Sequence, residues 1–198
     1  MGYSSSSTSS PAQTKRVMLF IDGQNLSIRF ADMKSNGMKP KNSIEVIDET
    51  FIWNRLSLKY PWFIQGGKPA WEILRAYYYT YFTGSEEIIS KYTRKIKRIA
   101  VSQSVAPTLT PVIFKKQHSE RAVKGDDIAL AVDALHHAYN RNIDIVHIFT
   151  GDGDFVPLIN EIKQLGITVF ISAFSSGLNP KIEECADAFF NLDSEFFE

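Results

Sequence analysis

Residues 17–21, Val-Met-Leu-Phe-Ile, form an unbroken apolar run that stops abruptly at Asp22-Gly23. A strand with one wet face alternates polar and apolar side chains. A run without alternation therefore reads as a strand buried on both faces, the position of a central strand in a parallel sheet. Such a sheet needs helices packed on both sides, which commits the chain to a layered α/β architecture. With 198 residues and 44% hydrophobic content, the chain can supply those layers within one domain.

The remaining pattern agrees. Strands are expected at 71–82, 109–116, 143–150 and 167–173, with a last edge strand at 189–192. Helices are expected at 24–33, 85–102, 124–140, 155–165 and 180–186, so that strands and helices alternate as in βαβ units. The expected fold is a Rossmann-like three-layer αβα sandwich with a mostly parallel central sheet. Residues 35–69 read as an elaboration on this core, with a helix expected over 44–59 and loop signals at Tyr60-Pro61 and Gly66-Gly67-Lys68-Pro69. The domain is expected to occupy residues 17–198, behind a disordered Ser-rich tail at 1–16. That tail lacks the apolar core of a secretory signal and only weakly resembles an organellar transit peptide.

Composition narrows the function classes. No apolar run approaches the ~18 residues of a membrane span, so a soluble, cytoplasmic protein is expected. Cys185 is the single cysteine, which excludes an internal disulfide and a multi-cysteine zinc site. The 22 basic residues balance 22 acidic ones, so a polyanionic partner must be drawn by a local basic patch rather than by an overall field. The helix at 85–102 offers one, since Ile88, Ile89, Tyr92, Ile96 and Ile99 share a face and leave Lys91, Arg94, Lys95, Lys97 and Arg98 on the other.

Ligands of open parallel sheets bind beyond the carboxyl ends of the strands. Acids follow two of those ends: Asp22 after the first strand, and Asp152 and Asp154 in Thr150-Gly151-Asp152-Gly153-Asp154-Phe155 after the strand at 143–150. Clustered carboxylates raise one another's pKa unless a cation sits among them, and an oxygen-preferring divalent ion is the simplest solution. Any one of these acids also suits a helix cap or a turn. If Asp154 caps the helix beginning at Phe155, Asp152 is left pointing into the crevice. On the helix at 124–140, Asp127 lies in line with Ala131, Ala134 and Ala138 and is expected on the packing side, whereas Asp126 aligns with Asp133 at the polar margin. Asn25 suits a cap or an accessory role beside Asp22, and Thr150 and Lys124 are placed to touch a phosphate. The four histidines show no metal-ligand spacing, and no Gly-Lys-Ser/Thr loop, Gly-x-Ser-x-Gly elbow or His-Glu-x-x-His helix is present.

Three segments carry a family resemblance: Ile21-Asp22-Gly23-Gln24-Asn25, then Lys124-Gly125-Asp126-Asp127 leading into Ala131-Val132-Asp133, then Thr150-Gly151-Asp152-Gly153-Asp154-Phe155. Together, in this order, they resemble the three motifs of the NYN domain, a family of the PIN-like nucleases. The resemblance implies a Mg²⁺- or Mn²⁺-dependent ribonuclease whose metal is held by Asp22, Asp127, Asp152 and Asp154, with Asn25 accessory; Thr150 and Asp126 are further accessory candidates from their positions in the chain. The chain departs from the commonest pattern in its second acid at Asp126, in Thr150 where Ser is frequent, and in the long segment at 35–69. Lys91, Arg94, Lys95, Arg98, Lys115, Lys116, Arg121 and Lys124 are the candidates to track a phosphate backbone, and a solvated helix face accounts equally for the first four. Trp53, Trp62 and Tyr78 are candidate base-stacking groups for which core packing is the better reading. The expected partner is single-stranded RNA, with a homodimer left open. A non-catalytic RNA-binding or scaffold module retaining the acidic pocket is the alternative, and a small-molecule phosphohydrolase ranks last.

Overall fold

The computed structural model describes residues 14–47, 50–55, 64–65, 68–69, 71–102, 107–115 and 125–198. Six strands form the main sheet: β1 (Lys15–Asp22), β6 (Trp71–Phe82), β7 (Thr110–Lys115), β8 (Ile145–Phe149), β9 (Thr168–Ala173) and β10 (Ala188–Asn191). Two hairpins, β2 (Ile44–Ile47) with β3 (Phe51–Asn54) and β4 (Ile64–Gln65) with β5 (Lys68–Pro69), lie between β1 and β6 in the chain. The helices are α1 (Gly23–Ser35), α2 (Glu86–Ile96), α3 (Gly125–Tyr139), α4 (Val156–Gln164), α5 (Pro180–Cys185) and α6 (Asp193–Phe196).

The sheet order is β10-β9-β8-β1-β6-β7 and every pairing is parallel, so the uninterrupted apolar run of β1 sits inside the sheet as its composition requires. Val17, Leu19 and Ile21 face one layer, where they pack with α1, the β2–β3 hairpin, Ile96 of α2 and Phe196 of α6. Met18 and Phe20 face the other, against Leu130 and Ala134 of α3, Ile159 of α4 and Ile182 of α5. From β1 the chain builds outward through β6 and β7, then returns to β8 on the opposite side. This reversal opens a crevice beyond the carboxyl ends of β1 and β8, the place where doubly wound sheets bind ligands.

Four expectations are corrected. The helix at 44–59 is instead the β2–β3 hairpin, with Ile44 opposite Asn54 and Ile47 opposite Phe51; residues 56–59 lie outside the described residues. Phe51, Ile52 and Trp53 are all buried, and burial on a pleated surface suits aromatic and β-branched residues better than a helix does. The Tyr78 hydroxyl fastens this hairpin to the sheet, accepting from the Ile52 N–H at 3.2 Å and donating to the Ile52 carbonyl at 3.1 Å. The helix expected at 85–102 ends at Ile96. Ile99 and Val101 beyond it are buried, and Ala100 bridges to Thr108, so the chain turns inward there. A short α6 follows β10 where no helix was expected.

The fourth correction concerns α3, whose buried stripe is Asp126, Leu130, Ala134 and Ala138, while Ile128 and Val132 are 63% and 57% exposed. Asp126, not Asp127, is thus the buried acid. Apolar residues surround most of this helix, so periodicity does not single out a face. The choice is made by the aromatic layer under it, where Tyr79 fills the space above the sheet and small alanines allow close approach. On the N-terminal side, β1 already begins at Lys15, with Arg16 held by Asp144 at 3.1 Å, and residues 1–13 lie outside the described residues.

Candidate metal centre

Asp22 is the last residue of β1 and the N-cap of α1. Its Oδ1 accepts from the Asn25 N–H at 2.9 Å, which satisfies one of the free amides of the first turn. The next residue must be glycine, since a Cβ on Gly23 would lie 2.1 Å from Tyr78 Cε1 and 2.7 Å from the Tyr79 carbonyl oxygen. The second oxygen of Asp22 accepts from Thr150 Oγ1 at 2.9 Å. Thr150 Oγ1 in turn accepts from the Asp152 N–H at 3.2 Å, and Asn25 Oδ1 accepts from the Gly151 N–H at 3.2 Å. Two polar side chains thereby stitch the β1–α1 turn to the loop after β8 and fix the Asp22 carboxylate across the switch point.

The N-terminus of α3 brings two more acids to this point. Carboxylate oxygens of Asp22, Asp126 and Asp127 lie within 4.8 Å of one another. Asp126 is 2% exposed; its Oδ1 accepts from the Asp127 N–H at 3.0 Å, and its Oδ2 is buried with no hydrogen-bond partner among the described residues. The Tyr81 hydroxyl, from the end of β6, accepts from the Gly125 N–H at 2.9 Å and lies against the Asp126 carboxyl, so a phenol caps this helix.

The electrostatics follow from the burial. Asp22 is pushed up to about 7, first by burial and then by repulsion from Asp127 and Asp126, against the opposing hydrogen bonds from Asn25 and Thr150. Burial likewise raises Asp126 above the usual carboxylate range, while the N–H groups of its own turn and the Tyr81 hydroxyl pull the other way. Three carboxylates this close, one with an orphaned buried oxygen, fit a hard divalent cation by donor chemistry and by the unmet demand for positive charge.

Residues 16–193 match the family model of the NYN domain. The chain belongs to the NYN domain family. That membership places it in the PIN-like nuclease superfamily. Over 102 residues it is 28% identical to the uncharacterized protein MJ0482 of Methanocaldococcus jannaschii, a match covering 51% of this chain and 42% of that protein. The chain thus aligns with under half the length of this curated relative. It also resembles the crystal structure of a protein of unknown function, VPA0982, from Vibrio parahaemolyticus RIMD 2210633. That likeness has a TM-score of 0.61 and 16% identity, covers 96% of this chain and 100% of the other, and bears on the fold alone.

In this NYN domain the residues singled out from the sequence take distinct places. Asp22 and Asp127 lie in the triad, joined by Asp126. Asp152 and Asp154, both expected as metal ligands, stand outside it: Asp152 Oδ1 accepts from the Asp154 N–H at 3.0 Å and caps the turn Gly153–Phe155, whereas Asp154 is exposed and lines a cavity with Asp127. Thr150 contacts Asp22, and Asn25 contacts both Asp22 and Gly151. Lys91, Arg94 and Lys95 form an exposed face on α2, Arg98 is exposed in the turn beyond it, and Lys115 is paired with Glu86 at 2.7 Å. Lys116, Arg121 and Lys124 lie outside the described residues, as do Trp62 and His118. Trp53 and Tyr78 are core residues, Trp53 donating to the Val101 carbonyl at 3.1 Å. His147 is also a core residue, beside Ser172 Oγ at 2.8 Å, and its burial pushes its pKa down to about 3. Tyr81 escaped the sequence reading, because an aromatic at a strand end carries no signal for the helix terminus it will meet.

Proposed function

We propose that this NYN domain is a divalent-metal-dependent ribonuclease, in which Asp22, Asp126 and Asp127 hold the ion and Asp154 faces the adjoining cleft. The observation that carries the reading is the meeting of three carboxylates within 4.8 Å of one another at the switch point of the sheet, Asp126 among them with a buried oxygen unpartnered among the described residues. A neutral structural role would have supplied that oxygen with a donor, since an unmet buried acceptor costs about 1–3 kcal/mol.

When bound, Mg²⁺ or Mn²⁺ supplies Lewis acidity towards a phosphodiester oxygen and makes an attacking water easier to deprotonate. The chain's own residues position. Thr150 and Asn25 hold Asp22 in one orientation, and Asp22 joins the β1 end to α1. Tyr81 fixes the start of α3, and with it Asp126 and Asp127, relative to β6. The exposed cations of α2 suit the phosphates of a single strand.

The test is cleavage of a labelled single-stranded RNA with Mn²⁺, Mg²⁺ or EDTA, beside Asp22→Asn and Asp126→Asn. Metal-dependent products that vanish in both variants support the reading. RNA bound by an inert wild type would move the non-catalytic binding module ahead of it.

A further inference from the structure

Two clefts border the elements that carry the carboxylate triad. One, of about 400 Å³, lies between α3 and α4 and is walled by Asp127, Asp154 and Glu161 with Ile128, Phe155 and Leu158. The other, of about 200 Å³, lies between α1 and the ends of β3 and β6. It is lined by Gln24, Ser27, Ile28, Thr50, Tyr81 and Thr83, with Thr80 on its floor. Three observations mark this second cleft as a binding surface. Gln24 and Ile28 stand one turn apart on α1, so an amide and a 48% exposed apolar side chain lie on the same helix face. Ser27 contributes a buried hydroxyl beside Tyr78 to the same cavity. Tyr81, which lines this cleft, also touches Asp126, so one side chain joins the cleft wall to the triad.

Hydroxyls and an amide beside an apolar patch are suited to a group with hydrogen-bonding edges and an apolar face. Phosphate prefers cations, and among the described residues the lining of this cleft includes none. We propose that the cleft takes the ribose and base of the nucleotide next to the scissile phosphate. Gln24 and Thr83 hydrogen-bond to its hydroxyl and base edge, and Ile28 packs against its flat face. The opposite cleft, with three carboxylates among its described lining, is where a polyanionic strand is least welcome, so the strand leaves the triad over α1 and the end of β6. This subsite rests on the ribonuclease reading above.

The experiment measures KM and kcat on a single-stranded RNA oligonucleotide and its all-deoxy counterpart, with Mn²⁺, for wild type, Gln24→Ala, Thr83→Val and Ile128→Ser. Mn²⁺ affinity is read separately by electron paramagnetic resonance. Gln24→Ala and Thr83→Val should each raise KM for RNA about three- to tenfold, the scale of one lost hydrogen bond. They should keep kcat within twofold, keep Mn²⁺ affinity, and narrow the preference for RNA over DNA; Ile128→Ser, on the opposite wall, should leave KM in place. If wild type cleaves RNA but both α1-side variants keep its KM, the subsite is overturned while the nuclease reading stands. If wild type binds Mn²⁺ yet neither cleaves nor binds the oligonucleotide, both fall together.

Discussion

The walls of the two clefts are built from different kinds of sequence, although both border elements that carry the three carboxylates. The wall between α3 and α4 joins acids to apolar residues that a helix would ordinarily bury, with Ile128 turned outward on α3. The wall along α1 and β6 is made of hydroxyls and an amide beside the single apolar side chain of Ile28 among its described lining. What divides them is Asp22, locked by Thr150 and Asn25 at the reversal of strand order. The difference teaches that the sheet's topology fixes where the chemistry sits, whereas the side chains of the neighbouring elements decide from which direction a substrate reaches it.

The largest effect is expected from removing the divider's charge. Asp22→Asn and Asp126→Asn should each lower metal-dependent RNA cleavage on the order of 10²–10³-fold, as for loss of a group aligned with charge that develops in the transition state. Single-turnover kinetics at saturating Mn²⁺ would check it, and a variant retaining a tenth of the activity would take that residue out of the metal site. The stability of the metal-free protein should move the opposite way. Asp22 has its folded pKa raised from 3.8 to about 7, so between those values the folded chain holds a proton that the unfolded chain has lost. Stability should therefore fall as pH rises from about 4 to 7 and level off above. Asn at this position should flatten that slope in urea unfolding, and Mn²⁺ should raise the melting temperature more at pH 8 than at pH 5.

How much of this was legible depended on whether a residue's role is local. Asp22 was legible because an acid ending a fully apolar run can only sit at the carboxyl edge of a buried strand, and the sheet order then puts it at the switch point. The ranking of Asp126 and Asp127 was not, because α3 is apolar nearly all round and its orientation is settled by Tyr79 and Phe20 across the layer. The same limit applied to the β2–β3 hairpin, whose strands are held by Tyr78 and Val101 from distant parts of the chain. Asp152 and Asp154 were read alike as metal ligands, since either can also cap and only the geometry of the turn Gly153–Phe155 selects Asp152 as the cap.

Intermediate effects should separate the groups that position the triad from those that face the cleft. Tyr81→Phe keeps the ring, 5.6 Å from Phe114, and removes the hydroxyl that receives the Gly125 N–H. It should weaken Mn²⁺ affinity about tenfold, as loss of a group orienting a ligand does, and cost about 1 kcal/mol of stability as loss of a helix cap does. Titration followed by electron paramagnetic resonance and urea unfolding read the two independently; unchanged affinity with lowered stability would make Tyr81 a cap and nothing more. Asp154→Asn should cost several-fold in kcat, with unfolding little changed because this residue is exposed.

The smallest effect is expected on the apolar wall of the acidic cleft. Ile128 is 63% exposed, so Ile128→Ser removes little buried surface and should change unfolding free energy by no more than about 0.5 kcal/mol. Leu130, two residues on and 1% exposed, belongs to the core, and its truncation to alanine should cost about 2–5 kcal/mol. The pair reports the orientation of α3 directly, because a helix turned to bury Ile128 would exchange the two values and would swing Asp126 away from Asp22. Near-neutral behaviour at Ile128 with a large loss at Leu130 therefore ties the metal-site geometry to a measurement that needs neither metal nor RNA.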